Sequence, residues 1–150
     1  MTVNPSLGHQ LDESATFKIA YFSLGRWALF YALNIVANLR QARGRILVPS
    51  FICSEVLAPI SMAGWEVVWY EIDKNFEPNN SILQHHAEVV LIVNYFGFPS
   101  NLAAFMKHRE LHNSILIEDN CHGFLSGTAQ GETLGTRCDM GLFSIRKTFL

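Results

Sequence analysis

Val89-Val90-Leu91-Ile92-Val93-Asn94-Tyr95-Phe96-Gly97 carries five apolar residues without a break into a polar, turn-forming tail. A strand with one face in water alternates apolar and polar residues, so an unbroken run predicts a parallel strand covered on both faces. Ser114-Ile115-Leu116-Ile117-Glu118 repeats the pattern and ends on Asp119-Asn120-Cys121-His122. Between the two, Phe98-Pro99-Ser100-Asn101 leads into a helix to about His112, with Ser100 as its expected N-cap. Upstream, Arg45-Ile46-Leu47-Val48 reads as a short strand stopped by Pro49. Ile52 to Ala63 reads as a helix interrupted by Pro59 and closed by Gly64, and Trp65 to Ile72 as another strand. A glycine-rich stretch, Gly123 to Gly135, precedes a last strand ending near Phe143. Strand and helix in alternation predict an α/β domain with a mainly parallel sheet and helices on both faces.

From Gly25 to Arg40, apolar residues nearly encircle the helical wheel, which predicts a helix buried inside the domain and ended by Gly44. Met1 to Ala20 reads as an irregular arm. No internal repeat or linker divides the chain, so residues 1–150 are expected to form a single domain or one piece of one.

Charged residues make up 16% and hydrophobic ones 49%, which excludes disorder. A net charge of −2, with Arg40, Arg43 and Arg45 the nearest thing to a basic cluster, gives no reason to expect nucleic acid or a membrane surface as partner. No apolar run reaches the ~18 residues of a membrane helix. Three cysteines, Cys53, Cys121 and Cys138, match no zinc spacing, and their odd number points to a reducing cytoplasm. Of the histidines, only His122 sits beside other candidate site residues, so no metal site is expected.

Ligands of open α/β sheets bind beyond the carboxyl ends of the strands. Those ends deliver Asp119 to His122, Ser144 to Lys147, and Asn94 to Gly97. An acid, a lysine and a hydroxyl on one edge suit pyridoxal phosphate (PLP). The amine holds the cofactor as an imine, the acid keeps the pyridine nitrogen protonated, and hydroxyl and helix-start N–H groups bind phosphate. By residue type alone, Asp119 would serve equally as a turn acid, Lys147 as a surface lysine, His122 as a core histidine and Ser144 as a local backbone partner.

Seven segments, in order, resemble the DegT/StrS sugar aminotransferases, which are fold-type-I PLP enzymes. They are Gly25-Arg26-Trp27-Ala28-Leu29, Val48-Pro49-Ser50-Phe51, Ala63-Gly64 leading to Tyr70-Glu71-Ile72-Asp73, Asn94-Tyr95-Phe96-Gly97-Phe98-Pro99, Ile117-Glu118-Asp119-Asn120-Cys121-His122, Gly131 with Leu134-Gly135, and Asp139 leading to Phe143-Ser144-Ile145-Arg146-Lys147. The resemblance implies Lys147 as the imine-forming and proton-moving lysine, Asp119 as the pyridine-nitrogen acid and His122 as a residue near the ring. It implies Ser144 and the backbone of Arg26 and Trp27 as the phosphate cradle. Cys53 stands where many members place a ring-stacking aromatic, which leaves Phe51 or His122 as alternatives for that contact. The Ser144-Ile145-Arg146-Lys147 motif is more compact than in the better-known members.

The resemblance further implies amino transfer, with glutamate as donor and a nucleotide-linked keto sugar as acceptor, in a cytoplasmic homodimer with shared active sites. In the family's dehydratase branch the position of Lys147 is not lysine. The competing expectations are another fold-type-I PLP enzyme, a lyase or desulfurase, and a non-catalytic aminotransferase-like binding or regulatory protein. The chain is expected to be the N-terminal portion of a PLP-binding large domain, inactive alone, with an unpaired sheet edge and exposed apolar surface.

Overall fold

A computed structural model describes residues 18–149, with side chains through Lys147. The expected arm falls almost wholly on residues 1–17, outside the described ones. Helix α1 (Gly25–Arg40) comes first, followed by β1 (Arg45–Pro49), α2 (Leu57–Met62), β2 (Glu66–Tyr70), β3 (Val89–Val93), α3 (Ala103–His112), β4 (Ile115–Asn120), β5 (Met140–Phe143) and α4 (Ile145–Phe149). The strands form one five-stranded sheet in the order β2-β1-β3-β4-β5, with every pair parallel. The expected α/β class is therefore realised.

Strand alternation sorts the core into two layers. Ile46, Val48, Val89, Leu91, Ile117 and Leu142 face one way and pack on Leu29, Leu33 and Val36 of α1 and Ile60 of α2. Leu47, Val90, Ile92 and Leu116 face the other way and pack on Phe105 of α3, Ile82 and Tyr70. All five residues of β3 are buried, as an unbroken apolar run requires. Each fully buried Leu or Ile contributes about 1.5–3 kcal/mol.

Several local expectations shift. Helix α1 ends at Gln41, which takes the left-handed conformation (φ 55°) and donates its N–H to Ala37 O; Gly44 lies beyond it. The helix is also not wholly buried, since Trp27, Tyr31 and Leu39 on its outer side are 39%, 43% and 69% exposed. The segment after β1 begins as a 3-10 turn over Ser54–Val56, and the α-helix starts only at Leu57, so the proline-bearing helix is shorter than the pattern suggests. Ser100 is not a cap. Its hydroxyl donates back to Val93 O, while Asn101 Oδ1 accepts the Ala103 N–H at the start of α3.

Gly141 in β5 is fixed by close backbone approach, because a Cβ there would run into the Gly135 carbonyl oxygen. Gly141→Ala is expected to cost at least about 1–3 kcal/mol, read as a lower thermal midpoint; an unchanged midpoint would show that the 123–137 loop can retreat from β5.

His108, fully buried at the opposite edge of the sheet, sets a pH dependence. Its Nε2 lies 2.8 Å from His85 O and its Nδ1 3.0 Å from Ser114 Oγ, which also lies 2.5 Å from Ala87 O. Burial foremost, and then the neighbouring His112, His86 and His85, push its pKa below the ordinary 6.5, against the bond to His85 that raises it. The unfolded chain therefore binds more protons than the native one just below pH 6.5, and stability is lost as pH falls through that region. The thermal midpoint is expected to drop between pH 7.5 and 5.5, with a smaller slope in His108→Gln; parallel curves for the two proteins would refute the assignment.

Candidate cofactor site

The carboxyl edge of the sheet gathers the polar ends of the strands. Ile117 packs on α1, so Asp119, two residues on, falls on the same face, whereas Glu118 and Asn120 face α3. Leu142 of β5 also packs on the α1 side. Ser144 follows it by two residues at the first turn of α4, where its carbonyl accepts the Lys147 N–H at 3.2 Å. Its hydroxyl has no hydrogen-bond partner among the described residues.

The start of α1 comes to the same place. A Cβ on Gly25 would lie 3.6 Å from Cys121 Sγ, so the helix begins against the loop that follows Asp119. Leu24 caps the helix without a side-chain bond, and its first turn holds no acid. An uncapped helix start is a ready anion site, because its N–H groups point outward and its dipole is positive there. Trp27 N–H is already donated to Leu24 O at 3.0 Å, so among the described residues the open donors are those of Gly25 and Arg26. Arg26 turns its side chain aside to Glu55, with Nη1 2.6 Å from Oε2. That bond ties the helix start to the turn that Cys53 opens.

Asp119 is half-buried and well held. Its Oδ1 accepts the Cys121 N–H at 2.9 Å, and its own carbonyl accepts the Asn94 N–H at 3.0 Å. Its charge is felt on both sides. Burial first, then Asp119, push the Tyr95 phenol up to about 12. Burial, the Asp119 charge and a hydrogen bond to that carboxylate raise the Cys121 thiol, while Lys147 works in the opposite direction. Lys147, exposed on α4, therefore lies within electrostatic range of Cys121.

Beyond these, a chain of rings crosses the edge. Tyr95 donates its hydroxyl to Phe51 O at 2.6 Å; Phe76 sits 4.9 Å from Tyr95 and 5.5 Å from Phe96; His122 stacks on Phe96 at 6.2 Å and 18°. Phe96 is held in the left-handed region (φ 56°), uncommon for a bulky residue and typical of functional loops. Cys53 is exposed.

Sequence reasoning assembled Asp119, Ser144 and the helix start but missed what lies behind them. Glu118 is fully buried and Arg137 nearly so. Arg137 Nε and Nη2 reach Glu118 Oε1 at 2.8 and 2.6 Å, Asn94 Nδ2 joins at 2.8 Å, and the Arg137 N–H bonds Oε2 at 3.1 Å. The signal was a carboxylate closing an apolar strand, which demands a buried partner. Two surface grooves, one lined by Met106, Arg109, Glu110 and Asn113 and the other by residues including Glu77, Leu83 and Lys107, lie along α3. Among the described residues no group of His, Cys, Asp and Glu is disposed to hold a metal ion, and no helix is long and apolar enough to cross a membrane.

An all-parallel sheet whose carboxyl edge carries this acid, hydroxyl and open helix start has the architecture of the large domain of fold-type-I PLP enzymes. The chain belongs to the DegT/DnrJ/EryC1/StrS aminotransferase family, which it matches over residues 18–148. No curated protein matches it in sequence. Among solved structures it is similar to the Escherichia coli GDP-4-keto-6-deoxy-D-mannose-3-dehydratase with bound hydrated PLP, at 26% identity and a TM-score of 0.67, over 79% of this chain and 33% of that one. It shares its fold with the aminotransferase from Psychrobacter cryohalolentis (20% identity, TM-score 0.62, 74% of this chain and 29% of that one). It also shares it with 3-amino-5-hydroxybenzoic acid synthase (19% identity, TM-score 0.63, 74% and 29%). The chain thus spans about a third of the length of these structures.

PLP is the cofactor of this family. The donor set suits it: two N–H groups and a hydroxyl without partners among the described residues for the phosphate, a carboxylate for the ring nitrogen, and an amine on the helix that follows β5.

Proposed function

We propose that residues 1–150 form the N-terminal portion of the PLP-binding large domain of an aminotransferase that passes an amino group, from glutamate, to a nucleotide-linked keto sugar. The observation that supports the proposal is the uncapped start of α1 lying against the loop that follows Asp119, at the same carboxyl edge of the sheet from which β5 leads into Ser144 and Lys147. When bound, the cofactor supplies an electron sink for the carbon that exchanges its proton. Asp119 holds the proton on the ring nitrogen. Gly25, Arg26 and Ser144 orient the phosphate by hydrogen bonds. Lys147 Nζ anchors the cofactor and then takes and returns the proton at the carbon bearing the amino group. His122, stacked on Phe96, would border the ring, and Cys53, exposed at the turn tied to the start of α1 through Glu55, is the other candidate for that contact. The exposed apolar side of α1, Trp27 and Tyr31, is where further parts of the enzyme or a second subunit of a homodimer pack.

A dehydratase reading draws support from the similarity to the E. coli enzyme, and Lys147 weighs against it. The test incubates the complete gene product, loaded with PLP, with glutamate and a panel of nucleotide-linked keto sugars. One 2-oxoglutarate formed per amino sugar supports amino transfer. A product lighter by one water establishes dehydration instead, and bound PLP without either product points to another fold-type-I chemistry. A protein that takes up no PLP is a non-catalytic relative.

A further inference from the structure

Burying a charge is costly, and a buried ion pair is often no more stabilising than apolar residues of the same volume. The Arg137–Glu118 pair is thus a poor device for stability alone, yet it is fully equipped. The Glu118 carboxylate accepts bonds from Arg137 Nε, Arg137 Nη2, the Arg137 backbone and Asn94 Nδ2. Arg137 Nη2 also donates to Asn94 Oδ1 at 3.1 Å, and Nη1 to Ser100 O at 3.2 Å. One guanidinium thereby joins the carboxyl ends of β3 and β4, the loop leading to α3 and the segment leading to β5.

Its position explains the expense. Glu118 is the residue before Asp119, on the opposite face of the same strand. Asn94, which bonds the Glu118 side chain, also donates its backbone N–H to Asp119 O. Asn120, the residue after Asp119, is held in turn by donating to Gly123 O at 2.7 Å and Leu134 O at 3.0 Å. Asp119 therefore stands between two residues clamped on the far face, and its own backbone is fixed by a third bond. A planar, multidentate guanidinium defines this geometry in a way that a lysine ammonium does not.

We propose that Arg137 is a positioning residue: through Glu118 and Asn94 it sets the orientation of Asp119 toward the cofactor's ring nitrogen. The proposal rests on the assignment of Asp119 to that nitrogen. It predicts that a loss at Arg137 is felt in cofactor binding only as long as Asp119 is an acid.

The experiment is a double-mutant cycle on PLP binding, using the apo form of the complete gene product titrated with PLP by absorbance. The proteins are wild type, Arg137→Lys, Asp119→Asn and the double variant, each also taken through thermal unfolding without cofactor. Arg137→Lys is expected to raise the PLP Kd about tenfold and to move the absorption maximum of the bound cofactor. In the Asp119→Asn background the same substitution is expected to leave Kd unchanged within about twofold, since the coupling is then gone. Additive effects, or a lower thermal midpoint with unaltered Kd and absorption, would overturn the proposal and leave Arg137 a purely structural residue. An Asp119→Asn protein that binds PLP as tightly as wild type would sink the assignment of Asp119 itself, a separate failure. Should Arg137→Lys not fold, Glu118→Gln, which keeps the shape and removes the charge, enters the same cycle with the same criteria.

Discussion

Arg137→Met is expected to destabilise the fold by about 3–5 kcal/mol, because it leaves the buried Glu118 carboxylate without its counter-charge. The Arg137 backbone N–H and Asn94 Nδ2 still reach the carboxylate, but the Ser100 carbonyl and Asn94 Oδ1 lose a donor. Denaturant unfolding reads the effect as a lower midpoint at constant slope. The double variant Glu118→Leu/Arg137→Met, which removes the charge along with its partner, should recover a large part of the loss. A single variant within about 1 kcal/mol of wild type would mean that water reaches Glu118 and that the pair is not buried in solution.

Asp119→Asn is expected to lower turnover by on the order of 10²–10³-fold, the usual cost of removing one fixed electrostatic partner of a reacting group. The fold should survive, because the amide oxygen of Asn still accepts the Cys121 N–H. The same substitution should lower the pKa values of the Tyr95 phenol and the Cys121 thiol, both of which the Asp119 charge raises. Phenol titration and thiol alkylation rates check those shifts independently of activity. Unaltered turnover with shifted Tyr95 would place Asp119 at the edge without a part in catalysis.

What the sequence made legible follows from local physics. Val89–Val93 declared itself as a doubly covered strand because only such a strand can be apolar at every position. The order of the strand ends brought Asp119 and Ser144 to one edge, while the face on which Asp119 stands came only with the packing of Ile117 on α1. Helix α1 was read with its bounds but not its burial: apolar residues on most sides were taken for a core helix, and Trp27, Tyr31 and Leu39 lie outside. The cap at Ser100 was misread because its hydroxyl found Val93 O, a partner that exists only once the loop has folded back. The Arg137–Glu118 network was out of reach for the same reason, since its members are 19 residues apart and the loop between them decides whether they meet. The left-handed backbone of Phe76 and Phe96 had no signal at all, because nothing in a phenylalanine announces a positive φ.

Trapping the cofactor on its lysine tests the central claim most directly. The complete gene product, incubated with PLP, is reduced with borohydride, digested and mapped by mass spectrometry. The pyridoxyl group is expected on Lys147 and nowhere else, and Lys147→Ala should carry none and lose at least about 10²–10⁴-fold in turnover. An adduct on Lys18, Lys74 or Lys107, on a lysine outside this chain, or on none, would contradict the account.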